Sequence, residues 1–134
     1  MIVVDTNIIG YLYLTSDHSP LAEQALLKDP LWSAPLLWRS ELRNVLVLYI
    51  RRKLLNVGEA QAVMDEASHL MQGREYEVTS PQVLNLAATS TCSAYDCEFV
   101  ALAQDLDIPL VTTDKQILKH FPSTAISLEE FVSR

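Results

Sequence analysis

The amino-acid sequence predicts an α/β protein, a three-layer α/β/α sandwich with a central parallel sheet. Short apolar runs, rich in β-branched residues and free of polar alternation, recur along the chain, as in strands that are buried on both faces. Amphipathic helical patterns separate these runs. Strands that alternate with helices are typical of βαβ units, which build parallel sheets.

Five short runs are the predicted strands, and turn or capping residues such as Gly73, Pro109 and Pro122 set them apart. The first run, Ile2-Val3-Val4, is the clearest example of a fully buried strand. The other predicted strands are residues 31–34, 76–78, 110–113 and 124–126.

Four segments between these strands have the spacing of helices. Residues 37–53 and 58–71 each carry apolar side chains on one face. Ser80 and Pro81 read as an N-cap and a first helical residue, which opens a helix that runs to about residue 89. A fourth helix extends from about residue 95 to 106 and ends at Asp107 and Pro109. Without linkers or repeats, residues 1–134 are expected to form a single domain.

Composition limits the class of protein. The chain has 134 residues, of which 49% are hydrophobic, enough for one well-formed core. Its longest apolar stretch, residues 45–50, is far shorter than the roughly 20 residues that cross a bilayer, and no signal peptide is recognisable. Cys92 and Cys97 match neither a zinc motif nor a disulfide scaffold, so we expect reduced thiols in a cytoplasmic protein.

The charge balance argues against a broad basic surface for nucleic acid. Ten basic and 17 acidic residues give a formal net charge of −7, so any contact with nucleic acid must be local. Half of the basic residues lie within residues 39–53: Arg39, Arg43, Arg51, Arg52 and Lys53. This cluster fits either a solvated helix face or a face that contacts phosphate or a partner.

Two aspartates follow predicted strands directly. Asp5 comes after the first strand and Asp114 after residues 110–113, so both emerge at the same edge of a parallel sheet. Functional crevices of such sheets lie beyond the carboxyl ends of the strands, where the strand order reverses. Each aspartate alone is also explained as the N-cap of a following helix, but two on one edge favour a site.

Two further acids occupy helical positions. Glu41 lies beside the apolar stripe of its helix, where a solvent-facing glutamate is not expected. Asp96 lies in a first helical turn, where the helix dipole favours its ionised form, so stability alone is an alternative explanation for it. Four grouped carboxylates require a positive charge, and a hard divalent cation supplies it most simply.

Oxygen ligands without histidine or cysteine predict Mg²⁺ or Mn²⁺ rather than zinc. The three histidines stand apart from the acids and are not expected to be ligands: His18, His69 and His120. Magnesium that is held by carboxylates suits phosphodiester hydrolysis. Neutral residues flank the acids and would orient ligands or waters, unless they serve only in turns and caps: Thr6, Asn7, Thr112 and Thr113.

Four motifs in register give the sequence a family resemblance. They are Asp5-Thr6-Asn7, the segment 35–46 around Glu41, Tyr95-Asp96 leading into residues 99–103, and residues 109–114 ending at Asp114. With these motifs, which span nearly the whole chain, the sequence resembles the PIN-domain ribonucleases and in particular the VapC-type toxins.

The resemblance implies a function and a set of partners. It implies a Mg²⁺- or Mn²⁺-dependent endoribonuclease whose catalytic and metal-binding carboxylates are Asp5, Glu41, Asp96 and Asp114. It also implies a homodimer and a small antitoxin that inserts a segment into the active-site groove. Asp114 corresponds to the family's most variable acid. RNA would be contacted through the metal and through a local patch such as Arg39 and Arg43, while Glu98 is expected to be solvated.

Other classes fit less well. A dehalogenase-type phosphatase needs an aspartate where this chain has Asn7, and a receiver needs an acidic pair near the start that is missing. A Rossmann nucleotide site needs glycines after the first strand, but the chain's glycines are Gly10, Gly58 and Gly73. Two alternatives stay open: a PIN-domain RNA-processing nuclease that is not a toxin, and a non-catalytic PIN-like binding module.

Overall fold

The structure, a computed structural model, describes all 134 residues as five strands and eight helices. In chain order these are β1 (Ile2–Val4), α1 (Thr6–Tyr13), α2 (Ser19–Lys28), β2 (Trp32–Pro35), α3 (Leu37–Arg51), α4 (Val57–Met71), β3 (Glu75–Tyr76), α5 (Ser80–Ala88), α6 (Ala94–Leu106), β4 (Leu110–Thr112), α7 (Lys115–His120), β5 (Ala125–Ser127) and α8 (Leu128–Ser133).

The five strands form one parallel sheet in the order β3-β2-β1-β4-β5. The chain builds outward from β1 through β2 to β3, then crosses back to place β4 on the other side of β1. The strand order therefore reverses between β1 and β4, where Val3 pairs with Leu110. This arrangement, with helices flanking the sheet, confirms the predicted α/β fold and puts a crevice beyond the ends of these two strands.

Helices α3, α4, α5 and α6 confirm the four predicted from periodicity, with ends shifted by one or two residues. One cap prediction was wrong: Thr79 is the N-cap of α5, and Ser80 is already helical. Helix α6 ends as predicted at Asp107, which takes a left-handed conformation with φ of 53°. Helices α1, α2, α7 and α8 lie outside the four predicted helices, and all of them are short, with six to ten residues each.

The core is one cluster of 30 buried residues that includes all three residues of β1. Helix α3 contributes the fully buried Trp38 and Leu42, and this buried face fixes the orientation of the neighbouring Glu41. None of the helices has the length and apolar composition that crossing a membrane requires.

Candidate metal centre

A cavity of about 220 Å³ lies at the carboxyl ends of β1 and β4, where the strand order reverses. We call it the acidic cavity. It brings together all four acids that the sequence singled out, although they come from four different elements of the chain. The residues that line it are Asp5, Thr6, Asn7, Glu41, Asn44, Val45, Asp96, Phe99 and Asp114.

Asp5 is the most deeply buried of the four acids, with 7% of its surface exposed. Its Oδ1 accepts a hydrogen bond from the backbone N–H of Ile8 at 3.2 Å, which caps α1. Its Oδ2 accepts a short hydrogen bond from the hydroxyl of Thr112. Burial raises the pKa of Asp5 to about 6 despite these bonds, and the charges of Asp114 and Asp96 raise it further. Asp5 is thus both a helix cap and a wall of the cavity.

Asp114 also combines both roles. Its Oδ1 accepts hydrogen bonds from the backbone N–H groups of Gln116 at 2.8 Å and Ile117 at 3.0 Å, so it caps α7. Its own N–H donates to the Thr112 hydroxyl at 3.0 Å, the same hydroxyl that donates to Asp5. Thr112 therefore ties the two strand-end aspartates together and fixes their relative position.

Glu41 and Asp96 project from α3 and α6. The hydroxyl of Thr6 donates to Oε1 of Glu41 at 2.7 Å and so holds this half-buried carboxylate in place. Burial, and then the charge of Asp96, raises the pKa of Glu41. Asp96 follows the N-cap Ser93, whose hydroxyl oxygen accepts the backbone N–H of Asp96 at 3.1 Å. Its pKa is raised by burial and by the charge of Asp114.

No lysine or arginine lines the acidic cavity, so its acids have no counter-ion within it. The chain's two salt bridges, Met1 with Asp29 and Arg39 with Glu75, lie elsewhere. No group of three or more Asp, Glu, His or Cys side chains forms a ready-made cluster for a metal ion. The donor set is nevertheless made only of oxygen, without histidine or cysteine, and this is the chemistry that fits Mg²⁺ or Mn²⁺.

The neutral residues predicted to support the site divide into two groups. Thr6 and Asn7 line the cavity, and Thr112 contacts Asp5 from the adjacent strand. Thr113 points elsewhere, since its hydroxyl hydrogen-bonds the hydroxyl of Tyr11 at 3.0 Å. None of the histidines lines the acidic cavity.

Sequence reasoning missed three of the lining residues: Asn44, Val45 and Phe99. The signal that would have found them is helical spacing. Asn44 and Val45 follow Glu41 by three and four residues on α3, and Phe99 follows Asp96 by three on α6.

The two arginines proposed to contact RNA or a partner lie outside the acidic cavity. Arg39 donates from Nε and Nη2 to Glu75, at 2.5 and 2.7 Å, and Trp38 Nε1 donates to the same carboxylate at 2.8 Å. We call these three residues the Glu75 clamp. Arg43 is exposed, and both arginines line a separate cavity of about 690 Å³ between α3 and α4.

Glu98 differs from its expected environment. It does not line the acidic cavity, but it is half-buried rather than solvated. Burial and the charge of Glu41 raise its pKa, so it adds to the negative potential near the site.

The fold and the cavity define a class: a parallel α/β protein whose acids converge beyond the sheet at the point of strand reversal. Within that class, the model of the PIN domain matches residues 2–122. The chain belongs to the PIN domain family, as the sequence motifs predicted.

Individual relatives agree with this assignment. The chain is 29% identical over 125 residues to Ribonuclease VapC3 of Pyrobaculum aerophilum, and the match covers 91% of this chain and 95% of that protein. Its fold is similar to that of FitAcB from Neisseria gonorrhoeae, with a TM-score of 0.75, 17% identity, and 96% and 99% of the two chains covered. A toxin-antitoxin complex from Klebsiella pneumoniae matches with a TM-score of 0.72, 18% identity, and 96% and 98% coverage.

Proposed function

We propose that this protein is a Mg²⁺- or Mn²⁺-dependent endoribonuclease and the toxin of a toxin-antitoxin pair. The observation that carries the proposal is the acidic cavity, which four carboxylates from separate elements line together with no lysine or arginine. Ionised carboxylates in a half-buried cavity are costly unless a positive charge joins them. A ribonuclease among the relatives and a toxin-antitoxin complex among similar folds support the nuclease and the toxin role.

In this proposal Asp5, Glu41, Asp96 and Asp114 hold the divalent cation. A bound Mg²⁺ or Mn²⁺ would supply a positive charge to the phosphate and would activate a water for hydrolysis of the phosphodiester bond. The chain's own contribution is orientation. Thr112 fixes the two aspartates at the strand ends, and Thr6 fixes Glu41, so these hydrogen bonds limit the positions that the carboxylates can take around an ion.

The same proposal extends to substrate and partners. RNA reaches the cavity with help from local basic groups, and exposed Arg43 is better placed for this than Arg39, whose guanidinium is held by Glu75. We propose that a small antitoxin inserts a segment at the active-site groove and that the chain works as a homodimer in the cytoplasm. Residues 1–134 act as one PIN-like domain, in keeping with the single core cluster.

The primary test is cleavage of single-stranded RNA by the purified protein. We expect cleavage with Mg²⁺ or Mn²⁺, none with a chelator, and loss of activity in Asp5→Asn and Asp96→Asn. Asp105→Asn is the matched control, because Asp105 is an exposed acid of the same helix as Asp96. Circular dichroism establishes that each variant is folded. Equal cleavage by the wild type and both site variants would contradict the metal centre and leave a non-catalytic binding module.

A cellular test separates a toxin from an RNA-processing nuclease of the same family. Induced expression of the wild type is expected to arrest growth, whereas Asp96→Asn is not. Co-expression of the protein encoded by the adjacent gene should restore growth if that protein is the antitoxin. Cleavage in vitro without growth arrest would favour the RNA-processing alternative.

A further inference from the structure

A second cavity, of about 150 Å³, opens beside the acidic cavity. Tyr11 of α1 and Leu14, the C-cap of α1, line it, as do Val45 and Tyr49 of α3. We call it the aromatic pocket. Its position follows from helical spacing, because Val45 and Tyr49 lie four and eight residues after Glu41 and so continue the same face of α3.

The two cavities are adjacent. Thr6, Asn7 and Val45 line both of them, so the aromatic pocket lies directly beside the acidic cavity. A ligand group in the aromatic pocket is therefore a direct neighbour of a group held by the carboxylates. For a strand of RNA, that neighbour of a phosphate is the base of an adjoining nucleotide.

The chemistry of the aromatic pocket complements that of the acidic cavity. None of its lining residues is charged at neutral pH, whereas four carboxylates line the acidic cavity. An uncharged and partly apolar pocket offers nothing to a phosphate group but accepts a flat, uncharged ring. Aromatic side chains stack on nucleobases of any sequence, and the amide of Asn7 can both donate to and accept from a base edge.

One wall of the pocket is already fixed in place. The hydroxyl of Tyr11 is hydrogen-bonded to Thr113 at 3.0 Å, and its ring stacks on His18 with centroids 4.5 Å apart and an angle of 29° between the planes. Tyr49 is partly buried against the core. Side chains that are held before binding lose little freedom on contact, which favours recognition of a stacked ring.

We propose that the aromatic pocket binds the base next to the scissile phosphate of single-stranded RNA, with Tyr49 as its stacking residue. This proposal rests on the proposed ribonuclease function and makes the pocket a positioning site: the bound base fixes the register of the strand over the carboxylates. The chain then recognises its substrate by stacking more than by charge, which accounts for RNA binding by a protein of net charge −7.

The kinetic test combines removal of a base from the RNA with substitution of Tyr49. RNA oligonucleotides carry an abasic ribonucleotide on one or the other side of the cleaved bond, and kcat/KM is measured for each. We expect base removal on one side to lower wild-type kcat/KM by about tenfold. Tyr49→Leu, which keeps apolar volume but removes the ring, should cleave intact RNA about tenfold more slowly and be insensitive to base removal. Tyr49→Phe should restore the sensitivity.

The control is Tyr13→Leu, a half-buried tyrosine of α1 that lines a different cavity and donates its hydroxyl to the Glu66 carbonyl. It should keep the full response to base removal. A wild type that is indifferent to the base on both sides, or a Tyr49→Leu variant that responds like the wild type, would overturn the aromatic pocket as a base site.

A binding measurement keeps this test separate from the proposed function. Asp96→Asn protein is titrated with short single-stranded RNAs that contain 2-aminopurine next to each phosphate in turn, and quenching of its fluorescence reports stacking. If the Asp96→Asn protein quenches the fluorescence and the double variant Asp96→Asn/Tyr49→Leu does not, the result supports the base site even if no RNA is cleaved. RNA binding without quenching, or no binding at all, overturns it, whereas absence of cleavage alone overturns only the nuclease.

Discussion

The single carboxylate of the Glu75 clamp and the four carboxylates of the acidic cavity meet opposite electrostatic environments. In the Glu75 clamp, the Arg39 guanidinium and the Trp38 indole lower the pKa of Glu75. In the acidic cavity, burial raises the pKa of Glu41 although Thr6 donates a hydrogen bond to it. Glu41 belongs to α3 and Glu75 accepts hydrogen bonds from α3, but only Glu75 receives a positive charge from the chain. A carboxylate whose counter-charge belongs to the chain stabilises the fold, and one without it is available to an external cation.

The comparison also explains why the acids of the cavity are so firmly held. Asp5 and Asp114 are fixed by helix-capping bonds and by Thr112, and these bonds leave the like charges close together. The chain thus maintains an arrangement that is unfavourable without a cation. Sites that store such a cost are typically functional.

The largest expected effect belongs to Asp5→Asn, which should act in opposite directions on activity and stability. The amide keeps the size of the side chain and can still accept the N–H of Ile8, but it removes the buried charge and the oxygen that accepts from the Thr112 hydroxyl. Since the pKa of Asp5 is raised from 3.8 to about 6, we expect the metal-free variant to be more stable by about 2–3 kcal/mol at neutral pH. Ribonuclease activity should fall on the order of 10³-fold, the equivalent of several kcal/mol.

Urea denaturation in the presence of a chelator measures this stability change. Asp17→Asn, at an exposed position, is the control and should change the free energy of unfolding little. A metal-free Asp5→Asn protein that is less stable than the wild type would show that Asp5 is mainly a structural cap.

The pH dependence of stability should distinguish Asp5 in the acidic cavity from Glu75 in the clamp, because their pKa values are shifted in opposite directions. The raised pKa of Asp5 means that its ionised form costs stability above about pH 6, and this cost disappears as the pH falls toward 3.8. The lowered pKa of Glu75 means that its contribution is complete above its ordinary pKa of 4.5 and is lost as the pH falls below that value. Metal-free protein should therefore gain stability as the pH falls from about 6 toward 4.5, and below 4.5 the loss at Glu75 opposes the further gain from Asp5.

Melting temperatures in chelator across this range provide the measurement. Asp5→Asn should flatten the rise in stability between pH 6 and 4.5, and Glu75→Gln should remove the opposing loss below pH 4.5. Saturating Mg²⁺ should also flatten the rise, because the bound cation removes the cost of ionisation. If the stability of the metal-free wild type instead falls steadily as the pH is lowered from 7, the acids of the cavity do not carry an uncompensated negative charge.

The sequence predicted the parts of the fold that depend on local pattern. Ile2-Val3-Val4 was recognisable as a buried strand, and Asp5 and Asp114 as residues at one edge, because parallel strands end on the same side. The Glu75 clamp was not predictable, since Arg39 and Glu75 are 36 residues apart and meet only through the pairing of β2 with β3. Helical spacing places Arg39 on a face of α3 but does not show that this face contacts Glu75 on β3.

Replacing the group that holds a cavity acid should have a smaller effect than replacing the acid. Thr6→Val keeps the shape of the side chain but removes the 2.7 Å hydrogen bond to Glu41. Metal affinity should fall about tenfold, as is typical when a ligand loses the group that orients it. Calorimetric titration with Mn²⁺ measures the change, and exposed Thr15→Val is the control. Unchanged affinity in Thr6→Val would mean that Glu41 does not depend on Thr6 for its orientation.

The smallest effect is expected from Glu75→Gln, and it should fall on stability alone. The amide breaks the ion pair with Arg39 but retains an oxygen that can accept from Trp38. Because the Arg39 side chain is 37% exposed, solvent screens the pair, and we expect a loss of about 1 kcal/mol at neutral pH. The rate of RNA cleavage should not change, since the clamp does not line the acidic cavity. Parallel measurements of urea stability and cleavage test this separation. A fall in cleavage rate without a fall in stability would mean that the clamp controls the position of Glu41 through α3. Glu75 and the acids of the cavity would then act together in cleavage.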